Sequence, residues 1–343
     1  MPFTESANQM EYSFAHRRYS LPFRMPVRTA AGDWESREGL YIRAVRPDGS
    51  AGYGEAAPIP GAGTESADDG DAFCRTLGDR VDGQVFARVP ANLCSLRNAL
   101  SCAMGNAAGP PRHRSLGVAA LLPAGRAALV QAPQRAEAGF RVFKWKVGVG
   151  YADDEMAMLD DLIGGLPGGS RIRLDANGAW NLRTAERWLS CSADRPVEFV
   201  EQPVAPGSRG ASDHLLGLSA DYPVPIALDE SIRGDADVGR WLDAGWPGYF
   251  VIKPAQLGDV QGVLGRLAKA RARVVFSSSL ETGMGAQAAL RAAFAWPGPT
   301  SALGFGVWPL FQDPAFDGPA SGPFIRIEDV DRIDPEALWN ALN

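Results

Sequence analysis

Histidine is scarce in this chain, at three scattered residues (His16, His113, His214), and the four cysteines (Cys74, Cys94, Cys102, Cys191) form no CxxC pair. That excludes a histidine-built metal centre and a structural zinc site, and it reads as reduced thiols rather than a disulfide scaffold. No GxxxxGK[ST], GxSxG or HExxH string occurs, so a phosphate-binding loop, a nucleophile elbow and a zinc-protease helix are absent. The glycines of Val147–Gly150 lack the third glycine of a dinucleotide fingerprint. Apolar runs are short. Gly117–Leu122 and Ala127–Val130 are interrupted by Pro123, Gly125 and Arg126, far below the roughly 20 residues of a membrane span. No basic start followed by an apolar core opens the chain, so the expected location is the cytoplasm. A net charge of −6 with no Lys/Arg block argues against nucleic acid and anionic membrane as partners. With 45% apolar and 22% charged residues over 343 positions, the chain has room for a barrel-sized domain and a smaller one. Carboxylates and lysines are left to carry the chemistry, on a small molecule; monomer and homo-oligomer both stay open.

The first hundred residues read as α+β. Glu38–Val45 and Gly52–Ala57 flank Pro47-Asp48-Gly49, a hairpin turn, and Phe23–Ser36 reads as a long loop. Helical stretches are expected near Glu65–Leu77 and Asn92–Ala107, before Gly109-Pro110-Pro111 ends the unit. From Leu116 the pattern becomes strand–helix alternation, with strands at Val142–Val147, Arg171–Leu174, Val197–Val200, Pro225–Leu228, Tyr249–Ile252 and Arg273–Phe276 and helices between them at Asp153–Ile163, Leu182–Leu189, Ala236–Leu242, Val260–Ala270 and Ala286–Ala295. Such alternation implies right-handed βαβ units and a parallel sheet. The expected division is residues 1–108, 112–310 and a tail of 311–343, the tail with a strand at Phe324–Glu328 and a last helix opened by Asp334-Pro335.

Each expected strand ends on a residue that a buried strand avoids: Lys144 and Lys146, Asp175, Glu201, Asp229, Lys253, then Ser277–Ser279. From Lys146 onward these are 24 to 29 residues apart, the length of a βα unit, so a closed barrel would carry all of them to its carboxyl-terminal face. The order is then base, three acids, base, with the lysines of strands two and six facing each other. Three converging carboxylates repel strongly without a cation, and a hard divalent ion, Mg²⁺ before Ca²⁺, suits so few oxygen ligands. The ion would favour neutral lysine, and Lys144, on the same face as Lys146, would add like-charge repulsion. A neutral lysine beside a metal-held carboxylate is a site for removing the proton α to that carboxylate, with the enediolate's charge falling on the ion.

At these residues the chain resembles the enolase superfamily, and within it the o-succinylbenzoate synthase family. The strings that carry the likeness are GEAAPIPG (Gly54–Gly61), KWKVG (Lys144–Gly148), RLDANGAW (Arg173–Trp180), VEQP (Val200–Pro203), LDES (Leu228–Ser231), VIKPAQLG (Val251–Gly258) and SSSLETGMG (Ser277–Gly285). The resemblance implies a modified (β/α) TIM-type barrel under an α+β capping domain formed by the N-terminal region and the C-terminal tail. It implies a mobile lid near residues 23–36, with Arg24 and Arg28. Lys146 would be the base, Lys253 the opposing cation, and Asp175, Glu201 and Asp229 the ligands of Mg²⁺, with Mn²⁺ as a substitute. The implied reaction is dehydration of 2-succinyl-6-hydroxy-2,4-cyclohexadiene-1-carboxylate to 2-succinylbenzoate, in menaquinone or phylloquinone biosynthesis. Asn177 and Glu230 are candidates for the layer behind the ligands, and Ser278, Ser279 and Arg173 for substrate contact; Glu281 stands beside them. N-acylamino acid racemase, dipeptide epimerase and muconate cycloisomerase chemistry use the same scaffold. Gly304–Phe311 lacks the acidic pair by which dipeptide epimerases hold an ammonium.

Overall fold

The computed structural model describes residues 10–29, 32–59, 61, 64–105, 108–320 and 322–342, with the backbone alone for 28 and 29. The cap opens with strands β1 (Glu11–Thr29), β2 (Gly32–Val45) and β3 (Ala51–Ala56), then helix α1 (Ala67–Thr76), β4 (Arg80–Asp82), α2 (Val85–Arg88) and α3 (Cys94–Ala103). Its antiparallel sheet runs β3-β2-β1-β4. Ser66 starts α1 with a capping box to Asp69, which satisfies two of the helix's orphan donors. Strand β3 lies directly on α3. A Cβ at Gly52 or Gly54 would sit about 2 Å from the carbonyl oxygens of Ala103 and Ala99, so only glycine permits that approach. Tyr12, Phe14, Leu40, Ile42, Leu96 and Leu100 fill the core between sheet and helices.

The barrel follows: β5 (Ser115–Gly117), β6 (Ala120–Leu122), α4 (Ala127–Glu137), β7 (Val142–Lys146), α5 (Ala152–Gly164), β8 (Arg171–Asp175), α6 (Leu182–Ser192), β9 (Val197–Glu201), α7 (Ala211–Asp221), β10 (Ile226–Leu228), α8 (Asp235–Asp243), β11 (Tyr249–Ile252), α9 (Val260–Lys269), β12 (Arg273–Phe276) and α10 (Gly283–Phe294). β6 to β12 form one parallel sheet in sequence order. Closure is made by two residues: Leu303 bridges Val118 and Gly304 bridges Ser277, both parallel. Inside the barrel Phe199, Ala227, Val251 and Val275 pack as a layer, and the outer faces of the strands pack on the helices. The tail adds β13 (Phe324–Arg326), antiparallel to β5, then α11 (Ile327–Asp331) and α12 (Pro335–Ala341), which Asp334 caps through the amides of Glu336 and Ala337. Arg17 of the cap donates to the carbonyls of Trp339 and Leu342 and lies 4.6 Å from the Trp339 ring centre, fastening the tail to the cap.

Residues 23–29 and 32–36 are not the loop that Pro26, Gly32 and the many polar residues suggested. They belong to a long hairpin, β1 pairing β2 from Ser13↔Val45 to Pro22↔Ser36 and again from Val27↔Trp34 to Thr29↔Gly32. Pro26 falls in the bulge between those runs, where no ladder amide is needed, so it does not break the strand. The bulge turns outward to the barrel: Phe23 bridges Phe311, Arg24 donates to the carbonyls of Leu310 and Phe311, and Gln312 donates to Pro22. Val27 and Trp34 thereby reach the barrel mouth. The Arg28 side chain lies outside the described residues. Among the described residues no helix is long and apolar enough to cross a membrane.

Candidate active site

Lys146, Asp175 and Glu201 each close their strands, β7, β8 and β9, and they stand level, Lys146 opposite Asp175 and Asp175 opposite Glu201. Asp229 follows β10 directly and Lys253 follows β11. The even spacing read from the sequence is therefore a ring of side chains at the carboxyl-terminal mouth. A cavity of about 410 Å³ opens there, lined by Lys144, Lys146, Asp175, Asp229 and Lys253, with apolar walls from Val27, Trp34, Ile59, Leu121, Ile232 and Val307. Glu201, 2% exposed, is not among the lining residues but is bonded to Lys144, which is. A larger cavity of about 870 Å³ lies between cap and barrel around Asn98, Arg97 and Gln287 and holds none of these lysines or acids.

The ammonium of Lys144 sits 2.7 Å from Glu201 Oε1 and 2.9 Å from Asp175 Oδ2, and Lys253 pairs with Asp229. Burial alone would lower Lys144, but Asp175, Glu201 and Asp229 together hold it above the ordinary lysine value. Its charge is thus met by acids. Lys253 is likewise raised against burial, chiefly by Asp229. Glu201, the middle acid, is pushed well up by burial and by Asp175 and Asp229, against the pull of Lys144. Asp229 is held down by Lys253 and Lys144 against its burial. No three of the described His, Cys, Asp or Glu side chains already surround a common point as a metal's ligand set, and ammoniums engage oxygens of Asp175, Glu201 and Asp229. The donor set is nevertheless that of a hard divalent cation: carboxylates from three adjacent strands, gathered closely enough that two of them share one ammonium.

Residues 127–322 match the enolase C-terminal domain-like family, and an o-succinylbenzoate synthase from Thermosynechococcus vestitus is 40% identical over 85% of this chain and 91% of its own. The chain belongs to the enolase superfamily. A crystal structure of o-succinylbenzoate synthase from Thermosynechococcus elongatus BP-1, complexed with Mg in the active site, superposes with a TM-score of 0.80 at 36% identity and covers 96% of this chain and all of that one. A hydrophobic dipeptide epimerase from Roseobacter litoralis is 32% identical over 65% of this chain and 70% of its own.

The other residues singled out in this superfamily member divide. Asn177, in the left-handed region at φ 45°, donates its amide nitrogen to Glu230 at 3.0 Å and its backbone N–H to Asp175. Glu230 and Asn177 line the same cavity as Asp175 and Asp229, and Glu230 is pushed up to about 7 by burial and by Asp229. Ser278 and Ser279 line the cavity; Ser278 donates to Glu281 and accepts from Leu280 N–H, while the buried Ser279 Oγ has no partner among the described atoms. Arg173 does not line the cavity. It pairs with Glu198 at 2.8 Å, donates to the Ala302 carbonyl and stacks 4.9 Å from the Phe199 ring centre. Glu198 is the extra residue of a bulge, since Ile172 faces Val197 but Arg173 faces Phe199. Asp175 and Arg173 do share a face, yet two residues along a barrel strand is a different layer, and Arg173 belongs to the packed wall rather than to a substrate contact.

Two positioning groups escaped the sequence reading. Gln202, fully buried at φ 39°, accepts the backbone N–H of Asp229 and of Ser231 on its side-chain oxygen and donates to Val204 and Ser231, so it sets where Asp229 stands. Glu55 of the cap accepts from Tyr19, from the N–H and hydroxyl of Thr282 and from Gly285 N–H, capping α10 from another domain. Both stand inside strings already noted, VEQP and GEAAPIPG; an acid or amide amid apolar residues was the visible signal.

Glu281, fully buried, is pushed up to about 7, first by burial and then by Glu55. A folded-state value above the unfolded one means that the native protein binds the extra proton. Its contribution to stability is complete below about pH 4.5 and is lost as pH rises through about 7, a change of about 3 kcal/mol. Glu281→Gln keeps an acceptor for Ser278 and Ser279 without the charge. Thermal unfolding of the variant should be flatter between pH 5 and 8 and shifted upward at pH 8; a Tm profile parallel to wild type would contradict the assignment.

Proposed function

We propose that this chain is an o-succinylbenzoate synthase, a carbon–oxygen lyase that dehydrates 2-succinyl-6-hydroxy-2,4-cyclohexadiene-1-carboxylate to 2-succinylbenzoate in the cytoplasm, within menaquinone or phylloquinone biosynthesis. The observation that carries it is the pair of lysines, Lys146 and Lys253, reaching one cavity from strands on either side of the three acids, in a chain 40% identical to a synthase.

Asp175, Glu201 and Asp229 would hold Mg²⁺, with Mn²⁺ as a substitute, and Asn177 and Glu230 would brace them. Bound there, the cation would take up the charge that the ring carboxylate gathers as its α-proton leaves. Lys146 removes that proton and then, as an ammonium, protonates the departing hydroxyl on the same face. Lys253 faces the ring from the opposite side and favours the planar, increasingly aromatic species. Ser278 and Ser279 contact the substrate from the loop after β12. Trp34, Val27 and the other apolar walls exclude water.

The test is incubation of purified protein with Mg²⁺ and the cyclohexadiene acid, following loss of the diene absorbance and appearance of 2-succinylbenzoate. Opposed lysines serve epimerisation equally well, and a dipeptide epimerase is among the relatives. No diene loss together with α-proton exchange in a dipeptide or N-acylamino acid would replace the proposal by that second reading.

A further inference from the structure

The substrate of this reading carries two carboxylates: one on the ring, at the lysine–acid end of the cavity, and one at the end of a flexible succinyl arm. The apolar walls offer the second nothing, and the serines after β12 can donate to it but bring no charge to match it. Among the described residues one arginine lines the cavity, Arg233, four residues beyond Asp229. The chain doubles back after β10, Ile232 donating to the Asp229 carbonyl at 2.9 Å, and this turn brings Ile232 and Arg233 to the mouth.

Arg233 is poorly explained by stability. Its side chain is 47% exposed, and its guanidinium has one ion pair, Nε to Asp237 at 3.5 Å. That carboxylate is already engaged by Arg240 at 3.0 Å and by the backbone N–H of Arg233 itself at 2.9 Å. The two terminal nitrogens of the fork therefore remain available. The position also precedes the first turn of α8, where the helix dipole favours an anion over a cation. Arg233 stands between this cavity and a smaller one of about 110 Å³ that it shares with Arg240, and a planar fork with free terminal nitrogens matches one chemical group well, a carboxylate bound through two parallel hydrogen bonds.

We infer that Arg233 is a specificity-determining residue that binds the distal carboxylate of a dicarboxylate substrate. The inference rests on the functional reading above and adds to it the group that selects the succinyl arm. Its test compares the binding of 2-succinylbenzoate with that of 2-butyrylbenzoate, in which a methyl replaces the distal carboxylate, to the Mg²⁺-loaded protein by calorimetry. Wild type should prefer the diacid by roughly ten- to a hundredfold. Arg233→Met should bring the two affinities within about threefold of each other by weakening the diacid alone, and Arg233→Lys should keep part of the preference. The exposed position makes both variants compatible with folding, which their continued binding of the monoacid verifies. A full preference retained in Arg233→Met, or no preference in wild type, overturns the inference while wild-type turnover leaves the dehydratase standing. A wild type that binds neither compound and consumes no diene overturns the dehydratase and the inference with it.

Discussion

Lys146→Ala should lower turnover of the cyclohexadiene acid on the order of 10²–10⁴-fold, the range of a positioned general acid–base, while affinity for 2-succinylbenzoate stays within about threefold. The asymmetry follows from geometry. Lys146 ends β7 opposite Asp175 and reaches the cavity, whereas Lys144 spends its charge on Asp175 and Glu201 and so holds acids together. On the proposed reading, removing Lys146 deletes the group that moves a proton, whereas removing Lys144 would unbalance the acids. Lys146→Arg separates base from mere cation, because a guanidinium cannot give up its proton in this pH range. It should be nearly as inactive as the alanine variant. Substantial activity in Lys146→Arg would assign the lysine an electrostatic role and pass the proton to another group.

Chelation should abolish turnover and added Mg²⁺ restore it, and the same ion should raise Tm. The stability gain follows mass action, about 2.7 kcal/mol at a hundred times Kd. It has a local cause here: burial and the flanking Asp175 and Asp229 push Glu201 upward, and a divalent ion among the three acids relieves that repulsion more completely than the single charge of Lys144. Glu201→Gln removes the middle acid's charge while preserving its size. It should lose most of the Mg²⁺-dependent rise in Tm along with activity. Differential scanning calorimetry across a Mg²⁺ series checks this without substrate, and a Tm indifferent to Mg²⁺ in wild type would sink the ligand assignment.

Barrel strands and most helices were legible in the sequence because each βα unit repeats one pattern, an apolar run ending on a polar residue and then an amphipathic stretch. Where the pattern was weak, the reading failed. α4 carries Pro133 in its interior, α7 is interrupted by Gly217, and β6 spans three residues. β1 was hidden for another reason. Its buried positions are Tyr12, Phe14, Tyr19 and Phe23, and the alternation slips as the strand passes from the cap's core to the barrel's. The lysines and acids were legible because spacing alone places them at one end. Spacing does not resolve layers, so Arg173 looked like a neighbour of the substrate and is part of the wall. Gln202 and Glu55 depend on partners 27, 29 and 227 residues away, which no local pattern exposes.

The Glu55 carboxylate reaches from β3 to Thr282 and Gly285 just beyond the serines of the mouth, and Arg37 of β2 adds a bond to the Leu280 carbonyl at 3.0 Å. For protein engineers this makes the two domains a matched set. A chimera that joins this barrel to a cousin's head, with neither acid nor guanidinium at those two places, would leave the serine segment untethered, and selection for new substrates would have to draw on both halves of the gene at once.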